Sequence, residues 1–261
     1  MNTTHVLPKK DTVEKVQYFN DQNWKRLYWV SGILLILNAV LSLVASYAIR
    51  ILYTPGYHDP ESYLQLVSQN QQLASFFWSL WIVIDILPLP IIVAMYIILQ
   101  RYNRTLALLG SLVALFYAIY DVAATELNSL TLVSLSHGYA LATTETVKAS
   151  FVAAATYGYH ALPFQTVISF ALGPIGYLLW CVPMAKSFFG RWNAIIAVIL
   201  SVMGLLGAAA PVFPSSAFLY WNAFLCVRLI AIWTIILGVM LYRYGRRIPT
   251  SLENNAAMEL K

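Results

Sequence analysis

Residues 74–100, ASFFWSLWIVIDILPLPIIVAMYIILQ, and residues 105–130, TLALLGSLVALFYAIYDVAATELNSL, are two apolar runs joined by the basic turn Arg101-Tyr-Asn-Arg104. Each is long enough to cross ~30 Å of hydrocarbon, which takes about 20 residues at ~1.5 Å per residue. Lipid offers no partners to backbone N–H and C=O groups, so a lone run of this kind must be helical. The joint is so short that the two helices must lie side by side and antiparallel. Each run also carries an acid in its apolar interior, Asp85 in the first and Asp121 in the second.

Outward from this hairpin, further apolar segments occupy residues 27–50, 163–185, 193–213 and 218–242. With 74–99 and 105–130 they give six spans, an all-α polytopic bundle over 27–247 between a polar arm, 1–26, and a tail, 248–261. Composition agrees: 60% of the residues are apolar and 10% charged, with a mean hydropathy of +0.67. A soluble domain carries about 25% charged residues, so a soluble enzyme, a disordered regulator and a nucleic-acid binder are excluded. The first apolar run is too long for a signal core and is expected to stay as an anchor. Cys181 and Cys226 lie inside apolar runs and read as small buried hydrophobes, without a disulfide framework.

The basic residues alternate by loop. Lys9, Lys10, Lys15, Lys25 and Arg26 precede the first span, Arg101 and Arg104 follow the second, Lys186 and Arg191 the fourth, and Arg243, Arg246, Arg247 and Lys261 the sixth. The alternate side holds only Arg50 and Lys148, and Arg228 falls within a span. The rule that cationic loops stay inside predicts both termini in the cytoplasm and a plasma-membrane protein. The external segments are the longer ones. Residues 51–73 contain Pro55, Gly56, His58, Asp59 and Glu61, and residues 131–162 contain His137, Glu145 and His160, with an Ala-rich stretch, 149–156, expected to form a helix lying on the outer surface. The spans before the two cytoplasmic hairpins are both interrupted, by Pro88 and Pro90 in one and Gly173 and Pro174 in the other, which would suit paired broken helices around a transport site.

Intramembrane charge carries most of the functional information, because an ionised group at mid-bilayer costs ~3 kcal/mol or more. Asp85 and Arg228 lie at equal depth and are expected to pair, since a buried guanidinium needs a carboxylate. Asp121 has no cation at its depth and shares a helix face with Tyr117, Thr125 and Asn128. Glu126 falls about 140° round an ideal helix from Asp121, too far for a close carboxyl pair. Trp78, Trp81 and Asp85 share one face of span two, and Trp221, Leu225 and Arg228 one face of span six. Where these faces meet they would enclose an outward-facing polar pocket. The candidate ligand- or ion-binding residues are therefore Asp121, Tyr117, Thr125, Asp85, Arg228 and Trp81. The bland alternative is that the charges only register the helices.

No catalytic residue, cofactor or metal site is identified: the histidines lack ligand spacing, and there is no P-loop, nucleophile elbow or dinucleotide turn. Ser31, Asn38, Ser42 and Ala45 on span one, and Gly204 with Ala208 on span five, read as close-packing faces.

The hairpin YNRTLALLG (102–110), the stretch GYLLWCVPMAKSFFGRW (176–192) and the Gly-containing span five resemble a family of small prokaryotic multi-pass proteins known as domain of unknown function 4386. The resemblance implies a six-helix bundle in a prokaryotic plasma membrane and brings no catalytic residues with it. The expected role is non-enzymatic: ligand binding, sensing or transport, with the lipid bilayer as surroundings and a small molecule or ion as ligand. A structural or accessory subunit, working with a membrane-protein partner or a second copy of the chain, is the alternative.

Overall fold

The computed structural model describes residues 23–52, 59–210, 213 and 217–248; residues 1–22 of the arm, His58 and residues 249–261 of the tail fall outside them. Among the described residues the chain is helical: α1 (Lys25–Leu52), α2 (Pro60–Gln69), α3 (Gln71–Ile86), α4 (Pro88–Leu99), α5 (Arg104–Tyr120), a π-turn (Asp121–Glu126), α6 (Leu127–Leu141), α7 (Glu145–Lys186), α8 (Gly190–Ala208) and α9 (Ala217–Arg247). These make six crossing units, long and apolar enough to span a membrane: α1, α3 with α4, α5 through α6, α7, α8 and α9.

The two expected hairpins form. In the first, Asn103 Oδ1 accepts the Leu106 N–H at 3.0 Å and caps α5, while the Tyr102 and Asn103 N–H groups donate to Leu99 O. In the second, Ser187 Oγ accepts the Phe189 N–H and the chain re-enters helix through Gly190 at φ 78°, a conformation open to glycine.

Packing closes a ring. α1 lies on α4, α4 on α5, α5 on α7, α7 on α8, α8 on α9, and α9 returns to α1. The last seam is tight: a Cβ on Gly32 would stand 2.5 Å from the Tyr242 N and 2.7 Å from the Gly238 O. The ring encloses an apolar core near the hairpin end, around Tyr28, Met95, Leu99, Trp180, Met184 and Trp233. A second core, around Tyr63, Leu64, Phe77, Trp78, Leu132 and Leu162, fills the opposite end. Outward rows such as Ile33, Leu37, Val40 and Val44 on α1, and Ile195, Ile199, Val202 and Leu206 on α8, are exposed apolar surface suited to lipid.

Two expectations change. The stretch 149–156 is helical, but it is not a separate surface helix: it is the start of α7, whose 42 residues run about 63 Å at ~1.5 Å per residue, twice the hydrocarbon thickness. α6 and α7 thus continue past the spans, and with α2 and α3 they build the second core. The paired interruption also fails, because α7 runs unbroken through Gly173 and Pro174 whereas the chain breaks between α3 and α4 at Leu87. Pro88 has no N–H for the Ile84 carbonyl, and Asn38 Nδ2 from α1 donates to that carbonyl in its place. Asn38→Leu is therefore expected to leave a buried carbonyl unpaired and to cost about 1–3 kcal/mol, read as a lower unfolding temperature of the purified protein; unchanged stability would show that the bond contributes nothing.

Candidate functional site

The seam between the two cores is where the acids meet. Asp85 ends its run one turn before the proline break, and the π-turn carries Asp121 and Glu126. One carboxylate oxygen from each of the three lies within 4.8 Å of the others. All are buried, with exposures of 2% for Asp85, 7% for Asp121 and 3% for Glu126. Counted from the hairpin end, Asp85 is about 21 Å along its span and Asp121 about 26 Å along its own, at ~1.5 Å per residue. The cluster therefore lies inside the bundle, in the half toward the long-helix end.

Local backbone geometry creates this meeting. An α-helical step of about 100° would put Glu126 on another face from Asp121. The π-turn closes one residue later, with the Leu127 N–H bonded to Val122 O, so residues five apart return to the same side. The expected separation of these two acids is thereby overturned: the wider turn brings Glu126 beside Asp121, and α3 brings Asp85.

Hydroxyl groups complete the surroundings. Ser169 Oγ of α7 donates to Asp121 Oδ1 at 2.7 Å and stands 3.4 Å from Thr125 Oγ1. Tyr117 and Thr125 also hydrogen-bond the Asp121 carboxyl, so the expected stripe around Asp121 is assembled. Its outer member, Asn128, donates to Gly158 O and Gln165 Oε1, both at 2.9 Å, and ties the π-turn's neighbour to α7. Two oxygens of the cluster, Asp85 Oδ2 and Glu126 Oε2, have no hydrogen-bond partner, and neither has the Trp81 Nε1 one turn before Asp85. Ser169 was not expected here; a single hydroxyl in the run VISFALG gives a sequence reader little to distinguish it from a packing serine.

The Asp85–Arg228 pair does not form. Asp85 sits among acids with one oxygen unpartnered, while Arg228 is half-buried on α9 and has an interaction of its own. Equal depth is not proximity in a ring where α9 packs on α1 and α8. The α9 face expected to close the pocket points outward, with Trp221 59% and Leu225 50% exposed. A groove of about 500 Å³ opens beside the π-turn, lined by Tyr120, Tyr157, His160, Phe164, Gln165 and Ile168. A second depression, about 320 Å³, lies among Glu61, Glu145, Lys148 and Thr156 at the long-helix end. His137 bonds Gln71 at 2.9 Å and His160 stacks edge-on to Tyr159. Among the described residues, the acid triad is the group of potential metal ligands.

A ring of six membrane-length helices around a buried carboxyl triad defines the class: a multi-pass helical membrane protein with an intramembrane acidic centre. The chain belongs to the family Domain of unknown function (DUF4386), whose model matches residues 30–245, from the first span to the end of the last. No curated protein and no solved structure matches it.

Proposed function

We propose that this protein is a non-enzymatic cation-binding membrane protein whose site is Asp85, Asp121 and Glu126. The observation that carries the reading is the approach of three buried carboxyl groups to within 4.8 Å, with two of their oxygens unpartnered. Like charges so close, out of water, are not all ionised at once without a counter-cation, so the cluster holds protons, a metal ion, or both. Such centres are the usual location of ion and proton pathways in membrane bundles. A hydrophobic carbodiimide, which modifies the protonated form of buried carboxyl groups, tests it. Peptide mapping should find the label on Asp85, Asp121 or Glu126, with less label at higher pH. Label confined to Glu61 and Glu145 would contradict it.

The second reading, a structural subunit, draws on the 2.7 Å bond from Ser169, which satisfies part of Asp121 within the bundle. It leaves the unpartnered oxygens of Asp85 and Glu126 without a role, and for that reason the cation reading is preferred.

The charge alternation supports placing the hairpin end in the cytoplasm and the long-helix end outside, in the plasma membrane. A cysteine introduced at Thr105 should then react with an impermeant thiol reagent only after the cells are opened, and one at Glu61 in intact cells. The reverse pattern would invert the orientation.

A further inference from the structure

We infer that Asp85, Asp121 and Glu126, with the neighbouring hydroxyls of Ser169 and Thr125, form a site for one hard divalent cation of the calcium or manganese class. This rests on the cation-binding reading above and names the ligand's chemistry. Two oxygens bound to one ion are separated by no more than twice the metal–oxygen distance. For Ca²⁺, at about 2.3–2.6 Å, that limit is about 4.6–5.2 Å. The three carboxylate oxygens, all within 4.8 Å of one another, reach the longer end of that limit, so a large ion such as Ca²⁺ needs the smallest inward movement of the side chains. A separate observation points to a ligand: Asp85 and Glu126 are buried beyond nine-tenths, and their Oδ2 and Oε2 oxygens have no hydrogen-bond partner. In this interior an unpaired carboxylate oxygen is costly, and a bound metal ion removes the cost, as a proton does.

The donor set selects among metals. Carboxylates and hydroxyls are hard oxygen donors, which suit Ca²⁺, Mg²⁺ and Mn²⁺, whereas zinc and copper prefer sulfur and imidazole. No histidine or cysteine is part of the group. Charge agrees as well. Two ionised carboxylates neutralise a divalent ion, and the third can stay protonated, with the Ser169, Thr125 and Tyr117 hydroxyls around Asp121. The groups that face the cluster are thus Asp85 from α3, Tyr117 from α5, Asp121, Thr125 and Glu126 from the π-turn, and Ser169 from α7. Binding must displace protons from the acids, so affinity should rise with pH.

The test uses the full chain, purified in detergent, with Mn²⁺ read by electron paramagnetic resonance and Ca²⁺ as competitor. The expected result is one Mn²⁺ per chain, displaced by Ca²⁺ and not by Na⁺, with affinity rising about tenfold to hundredfold per pH unit as one or two protons leave. Asp85→Asn and Glu126→Gln should each weaken binding at least tenfold. Both should elute as monodisperse protein with metal-free unfolding temperatures at or above the parent's, which separates lost ligation from lost fold. Wild-type protein that binds no Mn²⁺ or Ca²⁺, or binds Na⁺ in preference, overturns the divalent inference; if the carbodiimide still labels the triad with the expected pH dependence, the broader cation reading stands. Absence of both signals overturns the two together. Mn²⁺ binding unchanged in both variants places the ion elsewhere and overturns the inference.

Discussion

Asp121→Asn is expected to reduce cation binding by about 100-fold or more, equivalent to about 2.8 kcal/mol at 1.4 kcal/mol per tenfold, without unfolding the protein. The amide keeps the shape of the carboxyl and an oxygen to accept the Ser169 hydroxyl that now bonds at 2.7 Å. What it removes is one ionisable carboxyl of the triad. Asp121 is the member best supplied with hydroxyl donors, from Tyr117, Thr125 and Ser169, which hold its carboxyl in place for a cation. Removing one of several buried like charges relieves repulsion, so the cation-free protein should unfold at the same temperature or a slightly higher one. Cation titration and thermal unfolding of the same sample check both halves. Undiminished binding would show that Asp121 only packs the helices, and collapse of the fold would show that its charge is structural.

Gly32→Leu is expected to prevent the bundle from closing. The Cβ alone would meet the Tyr242 N at 2.5 Å, the Gly238 O at 2.7 Å and the Tyr242 Cα at 2.8 Å, all backbone atoms of α9. Backbone cannot swing aside as a flexible side chain can, so α1 and α9 must separate along the seam that closes the ring. Overpacking of even a few methylenes costs about 1–3 kcal/mol, and forcing two helices apart exceeds that range. The expected outcome is little or no monodisperse protein by size-exclusion chromatography. Gly173→Ala is the control, since a Cβ there meets nothing within 4 Å. Equal yields from the two variants would mean that the α1–α9 seam does not hold the ring together.

The six spans were legible because long apolar runs have few other solutions in lipid, and the hairpin neighbours because a turn such as Arg101–Arg104 leaves no slack. Which distant helices meet was not. The Gly32–Gly238 seam joins the first and last helices, and no local pattern announces it. The same blindness produced the Asp85–Arg228 pairing: depth is countable along a sequence, whereas position round the ring is not. Asn38 looked like a packing residue, and its actual task, to replace the N–H missing at Pro88, depends on α1 passing beside that break.

The site was half legible. Burial of charge marked Asp85 and Asp121, and helical spacing correctly put Tyr117 and Thr125 around the latter. Glu126 was assigned to another face because a constant step of about 100° per residue hides a single π-turn. Two acids five residues apart within one apolar run are the signal available for it: if both are to be buried in one place, the helix must widen by one residue between them. Ser169 has no such signal, since its importance comes entirely from where α7 crosses the π-turn.

Infrared difference spectroscopy of the carboxyl groups measures the triad most directly, because the carbonyl stretch of a protonated acid is resolved from the stretches of a carboxylate. The purified protein at neutral pH should show a carboxylic-acid band that diminishes when Mn²⁺ or Ca²⁺ is added, with a matching gain of carboxylate signal. The variant carrying Asp85→Asn, Asp121→Asn and Glu126→Gln together should show neither the band nor the change. A wild-type spectrum without that band, or a cation response that survives in the triple variant, would contradict a shared cation site at Asp85, Asp121 and Glu126.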